Sequence, residues 1–116
     1  MKLTVVENFS YPFVPGQARL YTHAPGQNEC YAGWSNCDGR HWEIVCPGGE
    51  VWDINSRARN CTKRQGTPGW DTHRCWVVHG EPPNVHVDKV GDTCAAGAGS
   101  IQTSNWHGFL HNGELA

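Results

Sequence analysis

Charge is scarce in this chain, and long apolar runs are missing. Only 17% of its 116 residues are Asp, Glu, Lys or Arg, and the net charge is -2. So weak a negative charge gives no general pull toward nucleic acid or anionic lipid. No glycine cradle or aromatic ladder points to specific nucleic-acid readout. No stretch is long enough to cross a membrane as a helix. "MKLTVVENF" has one lysine and no apolar core, so Met1 reads as the start of a mature form rather than of a signal peptide. The chain has no nucleophile-elbow serine, no phosphate loop, no dinucleotide fingerprint and no H-E-x-x-H. The hydrolase and nucleotide-binding classes that depend on those motifs are excluded. Helix-forming runs are also few.

Cysteine and glycine are plentiful. The six cysteines are Cys30, Cys37, Cys46, Cys61, Cys75 and Cys94. An even number in a short chain predicts three disulfides. Zinc is the rival reading, disfavoured because no C-x-x-C pair occurs and the Cys30-to-Cys37 gap is wide for a knuckle. Pairing is open, and with all six bonded none is left as a catalytic nucleophile. Two sequons, Asn8-Phe9-Ser10 and Asn60-Cys61-Thr62, fit a secreted chain. The length fits one domain, residues 1–116.

Strand signals come at 3–7, 18–23, 41–55, 74–79, 84–90 and 100–104, separated by the turn sequences "APGQN", "CPGGE", "GTPGW" and "GEPPN". Two short helices are predicted. One lies in "DTCAAGAG"; the other is "SNWHGFLHNG", with Ser104 as cap, Trp106, Phe109 and Leu110 on one face and Gly113 as the stop. The expected fold class is mainly β to α+β. It is a single disulfide-bonded domain with a twisted antiparallel sheet and one or two short helices.

The best-patterned stretch is "HWEIVCPGGEVWDIN", 41–55. Its bulky residues fall on even positions in both arms. Only a three-residue loop, Pro47-Gly48-Gly49, keeps them on one face. That register sets Ile44 opposite Trp52 and Trp42 opposite Ile54. It also sets Glu43 opposite Asp53 and His41 opposite Asn55. The facing carboxylates are expected in water beside Arg57 or Arg59, as ligand contacts, or as an acid and base pair.

Trp42, Trp52 and Trp76 are core candidates. Trp34 and Trp70 lie in loops rich in short polar residues, the combination that stacks on a sugar face and bonds its hydroxyls. His107 and His111 would share a helix face, a weak metal signal with no third ligand nearby in sequence. Arg57, Arg59, Lys63 and Arg64 form a basic run that can touch phosphate or an acidic glycan. His41 and Glu43 are the candidates for a secreted ribonuclease or glycosidase.

Within "LYTHAPGQNECYAG", Tyr21 and Gln27 are placed as in the first hairpin of the βγ-crystallin motif, and "DINS" (53–56) resembles its D-x-x-S element. Gly26-Gln27-Asn28 departs from that family's aromatic-x-Gly, and its calcium site is not carried over. In general character the chain resembles small cysteine-containing secreted fungal proteins, among them lectins and defence toxins. The resulting expectation is a secreted carbohydrate-binding protein of recognition or defence. Its contacts are Trp34, Asn36, Asp38, Trp70 and Asp71, with Glu43 and Asp53 added. Glycans or glycoproteins are the partners, and an edge strand allows a homodimer. No cofactor, metal or catalytic residue is assigned. The alternatives are a small secreted hydrolase and a membrane-active antimicrobial protein.

Overall fold

The computed structural model describes residues 1–25, 34–35, 37–59, 61–63, 66–88 and 99–116. Its main sheet has the order β1 (Thr4–Val5), β2 (Gln17–Thr22), β3 (Arg40–Val45), β4 (Val51–Asp53). Three two-stranded ribbons join it. They pair β5 (Val77–His79) with β6 (His86–Asp88), β7 (Ile101–Gln102) with β8 (His107–Gly108), and β9 (Leu110–His111) with β10 (Glu114–Leu115). No helix occurs among the described residues. One strand pair departs from the expected antiparallel pattern: β1 runs parallel to β2, with Thr4 opposite Gln17.

The β3–β4 hairpin has the register the parity of its residues requires. Glu43 faces Asp53 and Ile44 faces Trp52. The Ile54 N–H donates to the Trp42 carbonyl. The loop is Pro47-Gly48-Gly49, closed by the Cys46 N–H on the Glu50 carbonyl. Both glycines have positive φ, a conformation most residues resist.

Where a helix is predicted, 104–113 forms β8, β9 and a turn instead. Asn112 and Gly113 both have positive φ, at 53° and 76°. Two such residues make the tight turn whose twist suits a hairpin. Leu110 then lies opposite Leu115, and His111 opposite Glu114. The pair His107 and His111 is thus split over two strands, and His111 stacks on His86, ring centroids 4.5 Å apart. The other expected helix, 92–99, falls almost wholly outside the described residues.

The core fills with Ala18, Ile44, Trp52, Trp76, Val85, Val87, Ile101 and Leu110. Trp52 and Trp76 meet edge to face, centroids 5.2 Å apart. Trp42 is only partly buried against this cluster. Cys37, Cys46, Cys61 and Cys75 are all buried, and no disulfide is formed among the described residues. Cys30 and Cys94 lie outside them. Two connections are long, residues 23–39 between β2 and β3 and 54–76 between β4 and β5, and their described residues form no strand. Connections beyond ~12–15 residues without structure of their own are uncommon in a compact domain unless something ties them down.

Candidate metal centre

Alternation gives the main sheet one apolar and one polar face. Of β3 and β4, Ile44 and Trp52 enter the core and Trp42 packs against it. Odd residues, continued from β2, carry Arg19, Tyr21, His23, His41, Glu43, Asp53 and Asn55 on the opposite face. Much of that polar face is not solvated. His41, Glu43, Asp53 and Asn55 are all buried, His41 completely. Buried polar groups must find partners, and here they find one another.

Glu43 is held by Arg19, its neighbour across β2 and β3. The Arg19 Nε and Nη2 both reach Glu43 Oε1 at 2.7 Å. The expected cations Arg57 and Arg59 are placed elsewhere: Arg57 donates to the Trp70 carbonyl, and Arg59 to Ser104. Asp53 Oδ1 accepts the Asn55 N–H at 2.6 Å, while Oδ2 is buried with no hydrogen-bond partner. Burial pushes the Asp53 carboxyl up to about 6; the Asn55 N–H opposes this and the Glu43 charge adds to it.

At the end of this face three ligand atoms converge. His23 follows β2 directly, and its N–H donates to the Gly39 carbonyl. Gly39 has a φ of 81°, and a Cβ there would lie 2.2 Å from the His23 carbonyl oxygen. Only glycine lets the strands close at this point, and the closure sets His23 diagonally beside His41. Cys37 comes in from the connection. Its Sγ lies 3.6 Å from His23 Nε2 and 3.4 Å from His41 Nε2. The two Nε2 atoms are 2.5 Å apart, and the rings stack at 4.6 Å.

These spacings match an ion site at two of three edges. In a tetrahedral zinc site, bonds of about 2.3 Å to sulfur and 2.0–2.1 Å to nitrogen place sulfur and nitrogen roughly 3.5 Å apart. Both sulfur–nitrogen edges already have that length. The nitrogen–nitrogen edge should be roughly 3.4 Å; it is closed to hydrogen-bond distance, so the imidazoles share a proton that an ion would replace. At His23 the outer contact is of the kind that orients a metal-binding histidine. His23 Nδ1 lies 2.6 Å from the Ala24 carbonyl oxygen, and its N–H there leaves Nε2 as the ligand. His41 Nδ1 accepts from the Asn55 side-chain Nδ2 at 2.5 Å and lies 3.8 Å from Asp53 Oδ1, so its ring proton sits on Nε2, the atom from which an ion would displace it. Burial, then the charge of His23, hold the His41 pKa below its usual value, while Asp38 and Glu43 oppose them. The neutral ring, which is the ligand form, is therefore favoured at pH 7.

A cysteine beside a histidine also resembles a nucleophile and its base. Here the thiol and His41 are buried, and a second imidazole sits on the same sulfur at a similar distance, 3.6 Å against 3.4 Å. That symmetry suits an ion better than attack on a substrate.

Of the residues expected at a sugar site, Trp34 is buried, and the Arg74 guanidinium lies over its ring. Its indole N–H donates to the His73 carbonyl. Trp70 is half-buried beneath Arg57, and Asp38 is exposed. The Asp71 carbonyl accepts the Ser35 N–H. Asn36 lies outside the described residues. Trp34 and Asp38 share a groove of about 370 Å³ with Arg40, Asn55, Arg74 and Trp76. Glu43 and Asp53 lie with the histidines. Sequence reading treated Cys37 as half of a disulfide, and neither His23 nor His41 as a ligand. The available signal was the i,i+4 pair Cys37 and His41, with His23 at a strand end.

No known family model matches this chain, and no curated protein or solved structure is significantly similar to it.

Proposed function

We propose that this protein is a small metal-binding β domain whose ion, of the zinc class, is held by His23, Cys37 and His41. The convergence of one sulfur and two nitrogens at near-tetrahedral sulfur–nitrogen spacing carries the reading. One thiolate and two imidazoles form a borderline-soft donor set suited to zinc. The ion would tie the 23–39 connection to the end of the main sheet, where the main hydrophobic core does not reach. Under this reading the cysteines do not report an oxidising compartment.

Zinc titration of reduced, chelator-treated protein, with the release of protons measured, tests this. Uptake that falls by one ion equivalent in His41→Ala and in Cys37→Ser supports it. Uptake unchanged in both variants overturns it, as does rapid alkylation of Cys37 in zinc-loaded protein.

The second reading is the secreted carbohydrate binder of recognition or defence, possessing an edge strand for dimerisation. The groove that brings Trp34 and Asp38 beside Arg40, Asn55 and Arg74 supports it. Its expected outcome is glycan-array binding that falls at least tenfold in Asp38→Ala. An array without hits overturns it.

A further inference from the structure

We infer that Cys61, His73 and Cys75 form a second metal site, richer in thiolate than the first and independent of it. The sulfurs of Cys61 and Cys75 and a ring nitrogen of His73 lie within 4.8 Å of one another. The Cys75 Sγ to His73 Nε2 distance is 3.5 Å, the sulfur–nitrogen edge found at the first centre and about that of a tetrahedral zinc site. A disulfide uses two sulfurs and has no need of an imidazole. Here the ring nitrogen completes the cluster.

The backbone aims these groups. Cys61 closes a turn, its N–H donating to the Ala58 carbonyl. The His73 N–H donates to the Trp70 carbonyl, and the His73 carbonyl accepts the indole N–H of Trp34. His73 and Cys75 are two residues apart and meet through Nε2 and Sγ. Both cysteines are buried, while His73 is half-buried and leaves a path for an ion to enter.

The place in the fold gives the site its role. The described residues of 54–76 form no strand, and Cys61 lies toward one end of this connection while His73 and Cys75 lie at the other. An ion bound to all three closes this segment as the first ion closes 23–39. Each long connection thus contributes ligands to one three-ligand cluster. The donor sets differ. Two thiolates and one imidazole are softer than one thiolate and two imidazoles, so this site favours zinc and discriminates more strongly toward thiophilic ions such as cadmium. Binding releases the cysteine protons and leaves two negative sulfurs on a doubly charged ion.

Native mass spectrometry of the full chain, reduced, stripped and reloaded with zinc, counts the ions. Two are expected in the wild type, one in His41→Ala and one in Cys61→Ser/Cys75→Ser. Cobalt loading of His41→Ala should keep a thiolate charge-transfer band of two-sulfur intensity. His73→Ala alters a half-buried ring, leaves the sulfurs in place and should weaken the second ion by tenfold or more with an unchanged far-ultraviolet spectrum. One ion in the wild type that survives Cys61→Ser/Cys75→Ser overturns the second site and leaves the first standing. One ion that survives His41→Ala but is lost in Cys61→Ser/Cys75→Ser supports the second site and overturns the first. A disulfide to Cys61 or Cys75 in protein alkylated at lysis overturns the second site outright.

Discussion

Asp53 is the residue most at odds with its surroundings. Its carboxyl, ordinarily near 3.8, is raised to about 6 by burial. A raised carboxyl binds its proton more tightly in the folded state, so its contribution is most favourable below the unfolded value and is lost as pH rises through about 6. The loss is on the order of 3 kcal/mol. His41 works in the opposite sense: its lowered pKa makes stability fall as pH drops below 6.5. Asp53→Asn keeps the acceptor for the Asn55 N–H and removes the charge. In chelator, its melting temperature should exceed the wild type by several degrees at pH 7.5 and match it at pH 4.5. Equal melting at both values would show that Asp53 is not charged in a dry site. Cys46 offers a simpler check. Burial, with the charge of Glu50, lifts its thiol to about 12, and no ligand cluster includes it. Since the thiolate is the reactive form, iodoacetamide at pH 8 should leave Cys46 unmodified in folded protein and label it after unfolding.

At the scale of elements, the hairpins rest on glycines, and their neighbours set the cost of replacing them. Gly113 has a φ of 76°, and a Cβ there would lie 1.9 Å from the Pro83 carbonyl oxygen. Gly49 has a φ of 93° but open space around it. Gly113→Ala should therefore cost about 3 kcal/mol or more, and Gly49→Ala about 1 kcal/mol, by urea unfolding. Comparable losses would mean that strain at φ outweighs the clash. The same elements show which local signals were legible. Parity over 41–55 set the loop, the register and the Glu43–Asp53 pair. The segment 104–113 misled because Trp106, Phe109 and Leu110 fit a helical face by spacing, whereas the Asn112-Gly113 turn outweighed three apolar residues. Leu110 is buried, and Phe109 is 39% exposed.

For the whole molecule, the decisive matter is how a small core holds two long connections. The main core gathers around Trp52, Trp76, Val85, Val87 and Ile101, while Trp34 and Cys37 form a separate small cluster. If ions cross-link the connections, removing them should destabilise the fold. At free zinc a thousandfold above Kd, one site contributes about 4 kcal/mol. Excess chelator should then lower the melting temperature by roughly 10–20 °C, reversibly on adding zinc. A melting temperature unmoved by chelator would place the stabilising cross-links elsewhere.

The sequence alone determined the β-rich character, most strand positions and the central hairpin, because alternation and turn chemistry act over a few residues. It also gave the inventory of six cysteines and seven histidines. The tertiary structure decided which of them meet. His23 reaches His41 only through the diagonal of the β2–β3 pair, and Cys61 reaches Cys75 from the far end of a long connection. It also turned the polar face of the hairpin into a buried one, with Arg19 on Glu43. Such contacts depend on how distant parts of the chain close, and no local pattern encodes that closure.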